Sequence, residues 1–296
     1  MKTSEVKINQ RDLLWIIHQE LKDLPPLPTV VVHAMQTVTD PKSSAADLNR
    51  LICMDPALSA KVLRLVNSAQ YGFSSQVTTI THAIVILGFD TVRNLVTGLG
   101  AANYFKPSAR QLLNREQFWA HSAATALAAE VIAQRRKLGA KFGEQVFVGG
   151  LLHDLGKLFL DQYFVEQYRI TLQLAVAGNI GMTRAETIAL GINHTEVGNR
   201  IANNWRLPPA PEAMITWHHE PQAADKFFDY AACVHVADII VKQLKLGNSG
   251  DNNAVPALDS EVERWLDFSP SDWDFVSAQT MLKFEQAKEL VSALGH

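Results

Sequence analysis

Apolar residues recur along almost the whole chain at intervals of three and four, the spacing of one face of an α-helix. Between Ala57 and Val66, the residues Leu58, Val62, Leu65 and Val66 fall on one stripe, and the Ala-rich stretch Phe118–Ile132 keeps the same period. Strand-like alternation is hard to find. Start signals accompany the stripes: Asp55 precedes a first-turn Pro56, and Ser44 is followed three residues later by Asp47. Stop signals close them, at Gly88 after Ile84–Leu87 and at Leu207-Pro208-Pro209 after Trp205. The pattern predicts an all-α protein of roughly a dozen helices.

The halves of this pattern differ in chemistry. Residues 12–105 predict an N-terminal helical bundle whose histidines are His18, His33 and His82, with no acid–histidine cluster. Residues 108–246 hold His121, His153, His194, His218, His219 and His235. The break between them, Lys106-Pro107-Ser108, is too short for a flexible linker, so the two bundles are expected to pack on each other. A turn-rich loop, Leu246–Pro256, leads to a C-terminal helical extension, residues 257–296. A short segment around Val262–Leu266 and an amphipathic helix from about Ser271 are expected there.

Composition narrows the class. The chain has 296 residues, is 47% hydrophobic and carries a net charge of −3, which excludes dominant disorder. With 27 Lys and Arg against 30 Asp and Glu there is no basic excess, which argues against a nucleic-acid partner. No apolar run reaches the ~18–20 residues of a membrane span, and Leu13–Ile17 is too short for a signal peptide. Two cysteines, Cys53 and Cys233, cannot build a disulfide framework. These features together predict a cytoplasmic protein that does not enter a membrane.

The strongest chemical signal is His153-Asp154-Leu155-Gly156-Lys157, which follows the apolar run Val146–Leu152. Neighbours on one helix point about 100° apart, so His153 and Asp154 need help from elsewhere to clamp a metal. His121, His194, the pair His218-His219 and Asp238 are available. Imidazole nitrogens with carboxylate oxygens suit one or two divalent ions of iron, manganese, zinc or nickel, and the lack of nearby thiols argues against a Cys-rich structural zinc site. Burying so many ionisable groups on apolar helices without partners is costly. A metal-free hydrogen-bonded network stays open beside the metal reading. His33, His82 and His235 read as ordinary core or surface residues, and Cys233 as core.

The order His121, His153-Asp154, Asp238 resembles the HD superfamily of metal-dependent phosphohydrolases. The first half carries Leu24-Pro25-Pro26-Leu27-Pro28, Asp55-Pro56-Ala57-Leu58, Leu63-Arg64-Leu65-Val66-Asn67-Ser68-Ala69, Tyr71-Gly72 and Ala83-Ile84-Val85-Ile86-Leu87-Gly88. The second carries Phe118-Trp119-Ala120-His121-Ser122, Gly149–Lys157, then Glu186, Gly191, His194 and Gly198. Trp205-Arg206-Leu207-Pro208, His218-His219-Glu220-Pro221 and Val236-Ala237-Asp238 complete the set. Together, over about Leu24–Leu246, they resemble the HDOD (HD-related output domain) family, a relative of the HD-GYP phosphohydrolases.

The resemblance implies an N-terminal helical bundle packed on an HD-domain-like bundle, in a bacterial signal-transduction protein. Its partners would be signalling proteins or a nucleotide-like or phosphate ligand. HDOD domains are regarded as regulatory modules without an established reaction, so a degenerate metal site acting by ligand or partner binding is the first expectation. The alternative is an active phosphohydrolase on a phosphodiester or nucleotide, with Asp154 and Lys157 in catalytic roles. The Gly-Tyr-Pro signature of HD-GYP enzymes is missing after His218-His219, which argues against cyclic-di-GMP phosphodiesterase activity. Gln117 stands where an acid would support a third metal. The set therefore divides as His121, His153, Asp154 and Asp238 on one metal, and Asp154, His194, His218 and His219 on a second. Lys157 reads equally as a phosphate contact or a solvated helix lysine.

Other motifs read as structural. Arg64 and Asn67 are expected to cap and pack, and Gln134-Arg135-Arg136-Lys137 to meet the carbonyl end of a helix.

Overall fold

The computed structural model describes residues 10–27, 29–36, 44–67, 76–105, 108–251, 255–288, 291 and 294. Pro28, Ser68-Ala69, Tyr71-Gly72, Lys106-Pro107 and residues 252–254, all singled out from the sequence, lie outside this set, as does the Arg64 side chain. Sixteen α-helices and no strand occur among the described residues. The architecture is all-α, and the count exceeds the dozen expected because closely spaced breaks divide stretches whose apolar period runs on.

The first bundle comprises α2 (Thr29–Gln36), α3 (Ala45–Cys53), α4 (Pro56–Val66), α5 (Ile80–Leu87) and α6 (Phe89–Tyr104), whereas α1 (Gln10–Lys22) packs on helices of the second half. Its starts are those the side chains dictate. Ser44 and Asp47 form a reciprocal capping box on α3, and Asp55 Oδ1 accepts the Leu58 amide at the start of α4. Asn67 packs as expected of a capping residue: its side chain donates to the carbonyls of Leu63 and Val77 and accepts the Val77 amide at 2.7 Å. Gly88, at φ +88°, separates α5 from α6.

The second bundle is built on α7 (Arg115–Arg135) and α8 (Ala140–Leu152), which pack along each other. The alanines of α7 leave room for neighbours on almost every side, and α14 (Phe228–Leu244) and α16 (Pro270–Gln286) also lie against it. Around this pair come α9 (Leu155–Tyr163), α10 (Val165–Gly178), α11 (Met182–Leu190), α12 (His194–Asn204) and α13 (Pro209–Trp217). Helix α15 (Ser260–Leu266) precedes α16, which starts at Pro270 behind a Ser269–Asp272 capping box.

Helices α2 and α8 both pack against α6, and one apolar core runs through both bundles, from Ile17, Leu48 and Leu99 to Trp119, Leu151 and Trp205. A second core of Ala128, Ile132, Val236 and Val276 joins α7 to α14 and α16. The basic run at the end of α7 docks that extension. Arg135 pairs with Asp272, while Arg136 donates to the Leu266 carbonyl and lies over the Trp265 ring. No single helix among the described residues is long and apolar enough to cross a membrane.

At Gly156 the backbone of α9 touches α12 so closely that a Cβ would be driven into the His194 carbonyl. Gly143, in α8, has only Glu130 Cγ in ordinary contact range, at 3.8 Å. Gly156→Ala is therefore expected to destabilise the protein by about 2 kcal/mol through overpacking. Gly143→Ala is expected to stabilise it by about 0.5–1 kcal/mol, as replacement of a helical glycine does. Urea unfolding of the two variants beside the parent chain checks both signs.

Candidate metal centre

The doublet His153-Asp154 does not lie on a helix, contrary to the expectation of a ~100° divergence. Helix α8 ends at Leu152 and α9 starts at Leu155, with Asp154 at φ −98°, ψ 12°. That break turns both side chains into the cleft among α7, α12, α13 and α14. Helix ends supply most of the other donors too. His194 is the first residue of α12, His218 caps the end of α13 and His219 follows it. His121 and Asp238 come from the buried middles of α7 and α14.

Three of the rings are oriented by their Nδ1 atoms. His153 Nδ1 donates to the Gly150 carbonyl at 2.7 Å, and His218 Nδ1 to the Ile215 carbonyl at 3.1 Å. His194 Nδ1 donates to Glu186 Oε2 at 2.6 Å, and the same oxygen accepts the His194 amide at 2.8 Å. In each ring the Nε2 lone pair is left facing the centre, as a hydrogen bond at the far nitrogen arranges for metal-binding histidines.

Asp154 lies at the middle. Its Oδ2 is 3.3 Å from His153 Nε2 and 3.8 Å from His121 Nε2, while its Oδ1 is 3.4 Å from His194 Nε2 and 3.8 Å from His218 Nε2. Asp238 Oδ1 is 3.1 Å from His121 Nε2 and 3.9 Å from His153 Nε2, and the Nε2 atoms of His194 and His219 are 3.1 Å apart. Three sets of donor atoms each fall within 4.8 Å of one another: His121, His153 and Asp238; His194, His218 and His219; and, between them, His153, Asp154 and His218. All seven sequence candidates thus converge. His121 Nε2, His153 Nε2, His218 Nε2, Asp154 Oδ1 and Asp238 Oδ1 are buried without a hydrogen-bond partner. Such a convergence of unused lone pairs is costly in a closed protein core, and a divalent cation fits it.

Lys157 is not a solvated lysine. It is fully buried, and its Nζ donates to Asp154 Oδ2 at 2.9 Å, Ser249 Oγ at 3.1 Å and Asp251 Oδ2 at 3.2 Å. The sequence reading missed its counterpart, Lys242, whose Nζ donates to Asp238 Oδ2 at 2.8 Å and Asp251 Oδ2 at 2.7 Å. The i,i+4 spacing of Asp238 and Lys242 was the available signal. Asp251 gave none, being one polar residue in a turn-rich loop. Glu186 entered only as a motif residue, and the Gly191 turn is what brings it back to His194. His235 stays outside the donor set: its Nδ1 donates to the His218 carbonyl at 2.8 Å.

Charge in this closed space is steeply polarised. Burial would raise Asp154 and Asp238, but His153 and Lys157 around the one, and Lys242 and His121 around the other, hold both well below the usual carboxylate range. Burial opposes the charge on Lys157 and Lys242, and their carboxylate partners overcome it and hold both up. Burial pushes His121 down despite Asp238, and pushes His218 well down with help from His153. His219, partly exposed, moves the same way through burial and the adjoining His218 and His194. His153 alone of these rings is raised, because Asp154 outweighs its burial.

A helical fold with this centre places the chain in a class, and comparison with known proteins defines it. The HDOD domain model matches residues 24–221, two thirds of the chain, so this chain belongs to the HDOD family. An HDOD domain protein of unknown function from Geobacter sulfurreducens is 24% identical, with 97% of this chain and 98% of that one superposed at a TM-score of 0.74. A candidate phosphohydrolase from Shewanella amazonensis SB2B is also 24% identical, over 94% and 97% of the two chains, with a TM-score of 0.73. These identities establish a shared fold. An uncharacterised protein of Treponema pallidum (strain Nichols) is 25% identical over 241 residues, 81% of this chain. This chain spans about half, 46%, of that relative's length.

The histidine shifts have a consequence for stability. A histidine held neutral by the fold contributes stability above its unfolded value near ~6.5, and loses it as pH falls from there toward the lower folded value. His121, His218 and His219 act in this sense and His153 in the opposite one, so the balance favours loss in acid. Metal-free protein is expected to melt about 5 °C lower at pH 5.5 than at pH 7. His218→Asn should flatten that slope, as read by thermal denaturation across the pH series.

Proposed function

We propose that this chain is a bacterial signal-transduction protein in which an HD-type divalent-metal site serves binding and regulation. The observation that carries this reading is the placement of Asp154, with one oxygen toward His153 and His121 and the other toward His194 and His218. His121, His153, Asp154 and Asp238 would hold one ion. Asp154, His194, His218 and His219 would hold a second. Iron, manganese, zinc and nickel all suit this mixed imidazole and carboxylate set. Such an ion would supply Lewis acidity to a bound oxyanion.

The chain's own groups favour regulation over turnover. Asp154 Oδ2 and Asp238 Oδ2 are each engaged by a buried ammonium, which leaves Oδ1 as the unpartnered oxygen of each carboxylate. The partners that fit are signalling proteins or a phosphate-bearing, nucleotide-like small molecule. The formal charge of −3 argues against nucleic acid. Two free cysteines, Cys53 exposed and Cys233 buried, suit a reducing cytoplasmic setting.

A second reading, a metal-dependent phosphohydrolase, is favoured by one feature. A cavity of about 520 Å³ reaches His121, with Gln117, Lys242, Asn248 and Asp251 in its walls. In that reading Asp154 organises the metals and Lys157 meets a phosphate oxygen.

Elemental analysis of untagged protein purified without added metal tests the site. One or two equivalents of a transition metal are expected, falling by more than half in His153→Ala and Asp154→Ala. Absence of metal even after reconstitution overturns both readings. Asp154→Asn then separates them: an enzyme loses turnover of phosphodiester or nucleotide substrates, whereas a regulatory site shows no turnover to lose and a lower melting temperature.

A further inference from the structure

One carboxylate outside the donor set holds the two buried lysines together. Asp251 Oδ2 accepts from both Lys157 Nζ, at 3.2 Å, and Lys242 Nζ, at 2.7 Å, and Asp251 Oδ1 accepts the Ser249 hydroxyl at 3.1 Å. Two ammonium groups and a hydroxyl converging on one oxyanion make a seat whose chemistry is that of a phosphate site. The same ammonium groups also hold Asp154 and Asp238, so the seat borders the metal centre directly.

The seat has an approach from outside. Lys242, Ser249 and Asp251 form part of the wall of the cavity of about 520 Å³, with Lys245 also on it, whereas Lys157 does not reach that wall. The Asp251 carboxylate therefore stands between the cavity and Lys157. The loop that carries it is fastened to the metal centre's own helix. The Asn248 amide donates to the Gln117 carbonyl at 2.8 Å, one turn before His121, and Gly247 sits at φ +75° where a Cβ would be forced into the His121 amide. This close approach fixes where Ser249 and Asp251 enter the seat.

We propose that Lys157, Lys242 and Ser249 form a binding site for the phosphate group of a small anionic ligand, and that Asp251 occupies it as an internal competitor. A ligand phosphate arriving through the cavity displaces the carboxylate and takes over both ammonium groups. Removing Asp251 by mutation leaves the lysines short of one acceptor, and a free oxyanion of the right shape then restores it. This assignment gives the ligand in the preceding proposal its chemistry and rests on that reading for its biological use. The seat itself is made of groups that bind anions whether or not metal is present.

The test is chemical rescue, followed by thermal denaturation and calorimetric titration with inorganic phosphate in the presence of a chelator. Asp251→Ala is expected to melt below the parent, and inorganic phosphate is expected to raise its melting temperature well beyond the small general increase that the parent shows. Phosphate should bind the variant at least ten-fold more tightly than the parent. Asp251→Asn, which keeps shape and loses charge, should show the same gain if the alanine variant folds poorly. Adding Lys242→Met to Asp251→Asn should abolish it. Equal phosphate affinity in the parent and Asp251→Asn, or a gain that survives Lys242→Met, overturns the proposal. Metal content measured on the same samples before chelation separates its failure from failure of the metal reading, since phosphate binding is scored without metal.

Discussion

The structure is organised around a buried carboxylate. Asp154 is withdrawn from water at the point where α8 gives way to α9, and an ionised carboxylate there demands partners on every side. It has them in His153 and Lys157 near in sequence, and in His121, His194 and His218 from three other helices. Five elements must therefore meet at one place. The close contact of Gly156 with the His194 carbonyl and the alanine-rich surface of α7 permit that meeting. The N-terminal bundle continues the apolar core outward, and among the described residues it adds no donor to the centre.

Much of this was legible in the chain, and what was not has a physical reason. Local signals read correctly where the deciding groups are neighbours, as at the Ser44–Asp47 capping box and the Asp55 cap. The break between Leu152 and Leu155 was hidden because the apolar period continues through it from Val146 to Phe159, and periodicity cannot register a turn that keeps the same face buried. The convergence of histidines with Asp154 and Asp238 could be anticipated from the cost of burying such groups alone. The ammonium groups were legible only in their local partners, Asp154 for Lys157 and Asp238 for Lys242. Lysine reads as a surface residue, and the second acceptor of both, Asp251, lies 94 positions after Lys157.

The lysines bear on why an HD-like centre would serve recognition. A carboxylate that answers to an ammonium is less available to a metal than one that does not, so Lys157 and Lys242 moderate the charge the centre presents. Asp154, Asp238 and Asp251 face Lys157 and Lys242, so at the centre the carboxylates outnumber the ammonium groups. If a cation and an oxyanion both bind there, as proposed above, they would be thermodynamically linked, since whatever one does to the other's affinity is returned in equal measure.

The hydrogen bond from His235 to the His218 carbonyl extends further than the centre. The second nitrogen of the same ring accepts the amide of Asp259, the residue that caps α15 through its own carboxylate. One imidazole thus spans the distance between the backbone of a donor residue and the first turn of the C-terminal extension, whose later helix is clasped to the end of α7. The start of α15 is therefore tied to the backbone of a donor residue through one rigid ring, and not only through the chain between them.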